Sequence, residues 1–111
     1  MANGRSPVVE ETLHHRGTIL VRRLLLTPGE ATRWHRNPFH CVTVVLNGDS
    51  VAIEFRDESP KQQIRVTPGQ VDWHEPSDRA HRAINVGHAA YEDITVFFLK
   101  QPHDIPQPDA P

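Results

Sequence analysis

The sequence predicts an all-β barrel or sandwich, and three observations carry that prediction. Short apolar-alternating runs rich in Val, Ile, Thr and Phe recur along the chain, turn residues separate them, and no stretch of ten or more residues shows clean helical periodicity. At 111 residues, 37% of them hydrophobic, the chain reads as one domain over 1–111 with a single core.

Taken in order, Val8–Leu13 and Thr18–Leu26 are the first two runs, and Pro28-Gly29 closes the second. Val42–Leu46 and Val51–Arg56 flank Asn47-Gly48-Asp49 as the arms of a hairpin flank its turn, and Val51 to Arg56 alternates with period two. Asp57 to Pro60 then leads to Gln63–Thr67, and Pro68-Gly69 leads to Gln70–Trp73. Pro76-Ser77-Asp78 precedes Ala80–Asn85, and Val86-Gly87 precedes Tyr91–Leu99. Each of these punctuators supplies a fixed or a positive φ, which is what a tight turn needs. Residues 1–7 and 101–111, rich in Pro, Asn, Gly, Asp and Gln, are expected to be frayed ends.

Composition excludes several partners. The 12 Lys and Arg are scattered and the formal net charge is −2, so no basic footprint for nucleic acid exists. The apolar runs fall far short of the ~20 residues of a membrane span. Met1 to Glu10 has no apolar core segment of the kind a secretory signal carries, and Cys41 is the lone cysteine, so a cytoplasmic location is expected.

Two segments hold the residues with chemistry. In the first, Gly29 to Gly48, His35 and Asn37 are two apart and share one face of an extended strand. Cys41 rejoins that face if Asn37-Pro38-Phe39 bulges, and His40 then faces the other way. In the second, Gly69 to Asn85, His81 and Asn85 share parity, and only tertiary structure would bring His81 to His35. Plainer readings stand beside these: Cys41 as a small buried hydrophobe, Asn37 before Pro38 as turn chemistry. His40 and His74 read as rim or surface residues, and Trp34 and Trp73 as core or pocket wall. As metal donors, two imidazoles are good, an Asn carbonyl is weak, and a Cys thiolate would favour Zn²⁺.

Both segments resemble the two motifs of the cupin superfamily. Gly29, His35, Asn37, Cys41 and Gly48 stand at the spacing of Gly, five residues, His-x-His, three or four residues, Glu, six residues and Gly. Gly69, Pro76, Asp78, His81 and Asn85 follow the second motif, with one extra residue before the Pro and Asp78 in place of a Gly. The resemblance implies a double-stranded β-helix, or jelly-roll barrel, of two antiparallel sheets with a pocket at one end. It implies a pocket of His35, Asn37, Cys41 and His81, to which Trp73 is added as a large aromatic of the wall, and a divalent metal (Zn, Fe, Mn or Ni) on His35 and His81, with Asn37 and Cys41 at the other two ligand positions. The function so implied is a small-molecule-binding cupin, as a metal-dependent enzyme on a small carboxylate or amino-acid-derived metabolite, or as a non-catalytic ligand-binding or sensory barrel. A homodimer is expected, because Thr18–Leu26 and Tyr91–Leu99 are apolar at both parities.

Overall fold

A computed structural model describes residues 8–104, which contain nine β-strands and no helix, so none long and apolar enough to cross a membrane. The strands are β1 (Val9–Arg16), β2 (Ile19–Leu26), β3 (His35–Asn37), β4 (His40–Asn47), β5 (Ser50–Phe55), β6 (Gln62–Arg65), β7 (Val71–His74), β8 (Ser77–Asn85) and β9 (Tyr91–Phe98). They form two antiparallel sheets, a five-stranded one ordered β1-β2-β9-β4-β7 and a four-stranded one ordered β3-β8-β5-β6. Sequence neighbours β4 and β5 lie in different sheets, so Asn47-Gly48-Asp49 is a crossover between sheets rather than the hairpin turn the sequence suggests.

Two glycines permit close approaches at that end. Gly48 has φ 139°, and a Cβ there would meet Tyr91 Cδ1 at 2.9 Å. A Cβ on Gly87 would meet the Asp49 carboxylate at 1.5 Å. The fully buried Asn85 ties the same end together. Its amide donates to the carbonyls of Leu26 and Ala89, both at 2.9 Å, and its Oδ1 accepts from the Gly87 N–H. The motif residue Asn85 is thus a fully satisfied structural tie.

Register decides which side chains face inward. β9 pairs with β2 and β4 so that Leu26, Tyr91 and their same-parity neighbours share one face. Leu26, Val45, Val51, Val66 and Tyr91 make one buried cluster that closes the barrel floor. Leu20, Phe39 and Leu99, with Phe97 against them, make a second cluster that seats the link between β3 and β4.

Two expectations about elements need correction. The first strand runs on to Arg16, because pairing with β2 continues past a register shift between Thr12 and His14. At the C-terminal end, 101–104 form a turn, with Asp104 N–H donating to the Gln101 carbonyl at 3.0 Å and Gln101 N–H to Asp104 Oδ2 at 2.9 Å. The rest of the expected frayed ends, 1–7 and 105–111, lies outside the described residues.

Candidate functional site

His35 on β3 and His81 on β8 are direct cross-strand partners, and their rings sit 4.5 Å apart. Each ring is held the same way: His35 Nδ1 donates to the Arg33 carbonyl and His81 Nδ1 to the Arg79 carbonyl, both at 2.8 Å. A carbonyl can only accept, so each ring in its neutral form carries its proton on Nδ1 and leaves Nε2 with a lone pair. Burial, together with His35, His74 and Arg79 nearby, pushes the His81 pKa below its ordinary value, so this ring is neutral at pH 7.

The opposite sheet faces them across a cavity of about 460 Å³. Asn37 and Cys41 line it beside the histidines, joined by a hydrogen bond from Asn37 Nδ2 to Cys41 Sγ at 3.2 Å. Asn37 Oδ1 accepts the Phe39 N–H at 3.3 Å, so the turn role and the cavity position hold together. Burial raises the Cys41 thiol above its ordinary pKa, which keeps it protonated. His35, Asn37, Cys41 and His81 are therefore brought to one cavity.

Trp73 is not among them, which corrects its assignment to the pocket wall. β7 pairs with β4 in the register Cys41↔His74 and Val42↔Trp73, so His74 turns inward and Trp73 outward. Trp73 is 55% exposed and stacks on Phe98, while His74 lines the cavity and is exposed at its rim, in keeping with its reading from the sequence as rim or surface. Trp34 likewise lies on the outside of the four-stranded sheet, with the Arg82 guanidinium 4.6 Å from its ring centre.

Sequence reasoning missed the polar wall contributed by β9 and β4. Tyr91 donates to Asp93 Oδ2 at 2.5 Å, Thr95 Oγ1 lies 3.3 Å from Asp93 Oδ1, and Thr43 Oγ1 lies 2.9 Å from Thr95 Oγ1. Asp93 is only 6% exposed, and burial raises its pKa to about 6. The signal was present in the alternation of Tyr91, Asp93 and Thr95 with Ile94 and Val96, but the apolar set reads more naturally as the inward one.

The fold resemblance implies a metal, and the donors present do not fit one. Among the described residues no three His, Cys, Asp or Glu side chains come together as an ion would need. Beyond the two imidazoles, the Asn37 carbonyl is engaged by Phe39 and the buried Cys41 sulfur accepts from Asn37 Nδ2, which leaves an incomplete ligand set.

No protein-family model and no curated protein matches the sequence. Solved structures do match. A cupin domain from Bordetella pertussis Tohama I superposes with a TM-score of 0.72 at 18% identity, covering 84% of this chain and 94% of that one. An RmlC-like cupin with a double-stranded β-helix fold from Methanocaldococcus jannaschii gives 0.68 at 15% identity, over 92% of this chain and 88% of that one. A structure described among DMSP lyases gives 0.59 at 17% identity, over 83% of this chain and 44% of that one. At these identities the likeness establishes the fold, a double-stranded β-helix of the cupin type.

Proposed function

We propose that this cupin barrel binds a small cytoplasmic metabolite of the carboxylate or amino-acid-derived class, with His35 and His81 as the recognising pair. The observation that carries this reading is the Nδ1–H hydrogen bond of both rings, which leaves the Nε2 atoms without a hydrogen-bond partner among the described residues at the mouth of a cavity of small-molecule size. A ligand hydroxyl or amide would donate to Nε2 directly. A ligand carboxylate would bind with uptake of one proton by the pair, because the depressed pKa of His81 leaves that ring neutral beforehand. Arg33, which also lines the mouth, adds positive charge that favours such a group. The metal-dependent alternative needs a ligand set that Asn37 and Cys41 do not complete. We read the binding unit as a homodimer joined through the outer face of the five-stranded sheet.

Calorimetry with pentanoate at pH 7.5, in two buffers of different ionisation enthalpy, tests the proposal. Uptake of about one proton per site is expected, and His81→Ala should remove it and weaken binding about tenfold or more. No binding, or binding without proton uptake that His81→Ala leaves unchanged, overturns the reading.

A further inference from the structure

The second polar feature of the cavity lies below the histidines. On β9, Phe97 is level with Cys41 and Asp93 is level with Val45. Four residues of strand separate the two levels, about 13 Å at ~3.3 Å per residue. We propose that Asp93 receives a basic nitrogen of the ligand, so that the cavity selects an amine-bearing, amino-acid-derived molecule over a plain carboxylate. This rests on the reading of the barrel as a small-molecule site and names the ligand class of that site.

The direction of the hydrogen bonds is the first argument. If Thr95 gives its single hydroxyl proton to Asp93, Thr43 must give its own to Thr95, so the chain Thr43, Thr95, Asp93 runs toward the carboxylate. Tyr91 donates from the other side, and its own pKa is raised by burial and by Asp93, so it keeps its proton. Both hydrogen-bond partners of Asp93 among the described residues thus donate to it while lone pairs remain on it, and a carboxylate so arranged suits a further donor.

The second argument is charge. Arg22, which lines the same wall, is engaged by Glu10 at 2.8 Å, and Arg23 by Glu92 at 2.6 Å and Glu11 at 3.0 Å. Neither lysine of the chain, Lys61 or Lys100, lines the cavity. Asp72 lies on the same wall and its charge adds to that of Asp93 at Tyr91. Burial raises the Asp93 pKa to about 6, which still leaves the group largely ionised at pH 7.5. A buried carboxylate met only by hydroxyls is costly, and an ammonium from the ligand would offset that cost.

Three probes of matched length test this: pentanoate, pentylamine and 5-aminopentanoate, titrated into the full chain by calorimetry at pH 7.5. 5-Aminopentanoate should bind about tenfold or more tighter than pentanoate. Asp93→Asn should erase that margin. Tyr91→Phe, which keeps the charge, should retain it and supplies the comparison if Asp93→Asn does not fold. Equal affinities for the two acids in the wild type, or a margin that survives in folded Asp93→Asn or is lost in folded Tyr91→Phe, overturns the assignment. If pentanoate binds through His81 but the margin is missing, only the role of Asp93 fails; if pentanoate does not bind, the reading of the cavity fails with it.

Discussion

At Asn37 a side-chain amide stands where the cupin motif has a second imidazole, and both of its ends are engaged, one by Cys41 Sγ and one by the Phe39 N–H. Asn37→His would put a third imidazole on the face that already carries His35. Zn²⁺ affinity measured by calorimetry should then rise at least about tenfold over the wild type, while His81→Ala should fall below it. Equal affinity in the three proteins would sink the idea that these positions share a site. Asp93 carries a different consequence, through stability. Burial first, and then Glu10 and Glu92, hold its pKa at about 6 against an ordinary 3.8, with the Tyr91 and Thr95 hydrogen bonds acting the other way. An acid raised in the folded state binds its proton more tightly there than in the unfolded chain. Its effect is absent below about pH 3.8, and stability falls as pH rises through 3.8 to about 6 and then levels off. The loss amounts to about 3 kcal/mol at most. His81 acts with opposite sign, since its depressed pKa costs stability as pH falls below the ordinary 6.5. Comparing wild type with Asp93→Asn cancels that term, because His81 is present in both. In urea titrations at pH 4 and pH 7.5, the variant should gain on the wild type by roughly 2 to 3 kcal/mol between the two values. A difference that does not move with pH would show that Asp93 is not held in this state.

Strands with strong alternation and clear punctuation are legible from residue order alone: Thr18–Leu26, Val51–Arg56 and Tyr91–Leu99 correspond closely to β2, β5 and β9, whereas Ala80–Asn85 covers only the later part of β8, which already begins at Ser77 within the expected turn Pro76-Ser77-Asp78. His35 and Asn37 are legible as neighbours on one face because strand parity is a local property. Their meeting with His81 is not. It depends on the pairing of β3 with β8, across more than forty residues of chain, and only the motif resemblance points to it. Side is the harder question on the five-stranded sheet. Both faces of β2, β4 and β9 are apolar enough to be buried, so the rule that the apolar set points inward loses its force. On β7 the rule reverses, with Val71 and Trp73 outside and Asp72 and His74 inside. That reversal sends Trp73 to the wrong side, and the same ambiguity on β9 hides Asp93. The crossover after β4 is hidden too, since Asn47-Gly48-Asp49 has the residues of a hairpin turn while the sheet assignment of the next strand is set by long-range pairing.

The reversal on β7 becomes intelligible when the outer face of the five-stranded sheet is viewed across β2, β9, β4 and β7. Ile19 and Val21 on β2, Ile94, Val96 and Phe98 on β9, Val42 and Val44 on β4, and Val71 and Trp73 on β7 share that face by register. Val71 is 62% exposed and Trp73 55%, and Trp73 is braced by Phe98 with ring centres 5.9 Å apart. Arg23, paired with Glu11 and Glu92, borders the patch with charge. Nine apolar side chains share this face, Ile19, Phe98, Val71 and Trp73 among them exposed, and one barrel has only one interior in which to bury them, so the face suits a partner rather than water. A second copy offering the same face is self-complementary across a two-fold axis, and a pair of sheets packed about 10 Å apart would cover it. We therefore predict a homodimer, with the mass of two chains by light scattering at micromolar concentration. Trp73→Glu should shift it to the monomer by placing a charge within the contact, on its edge strand β7, with the far-ultraviolet spectrum of the barrel retained, because Trp73 lies outside the cavity. A wild-type monomer at that concentration would refute the prediction, and so would a Trp73→Glu variant that stays dimeric, since the contact would then have to lie elsewhere on the barrel.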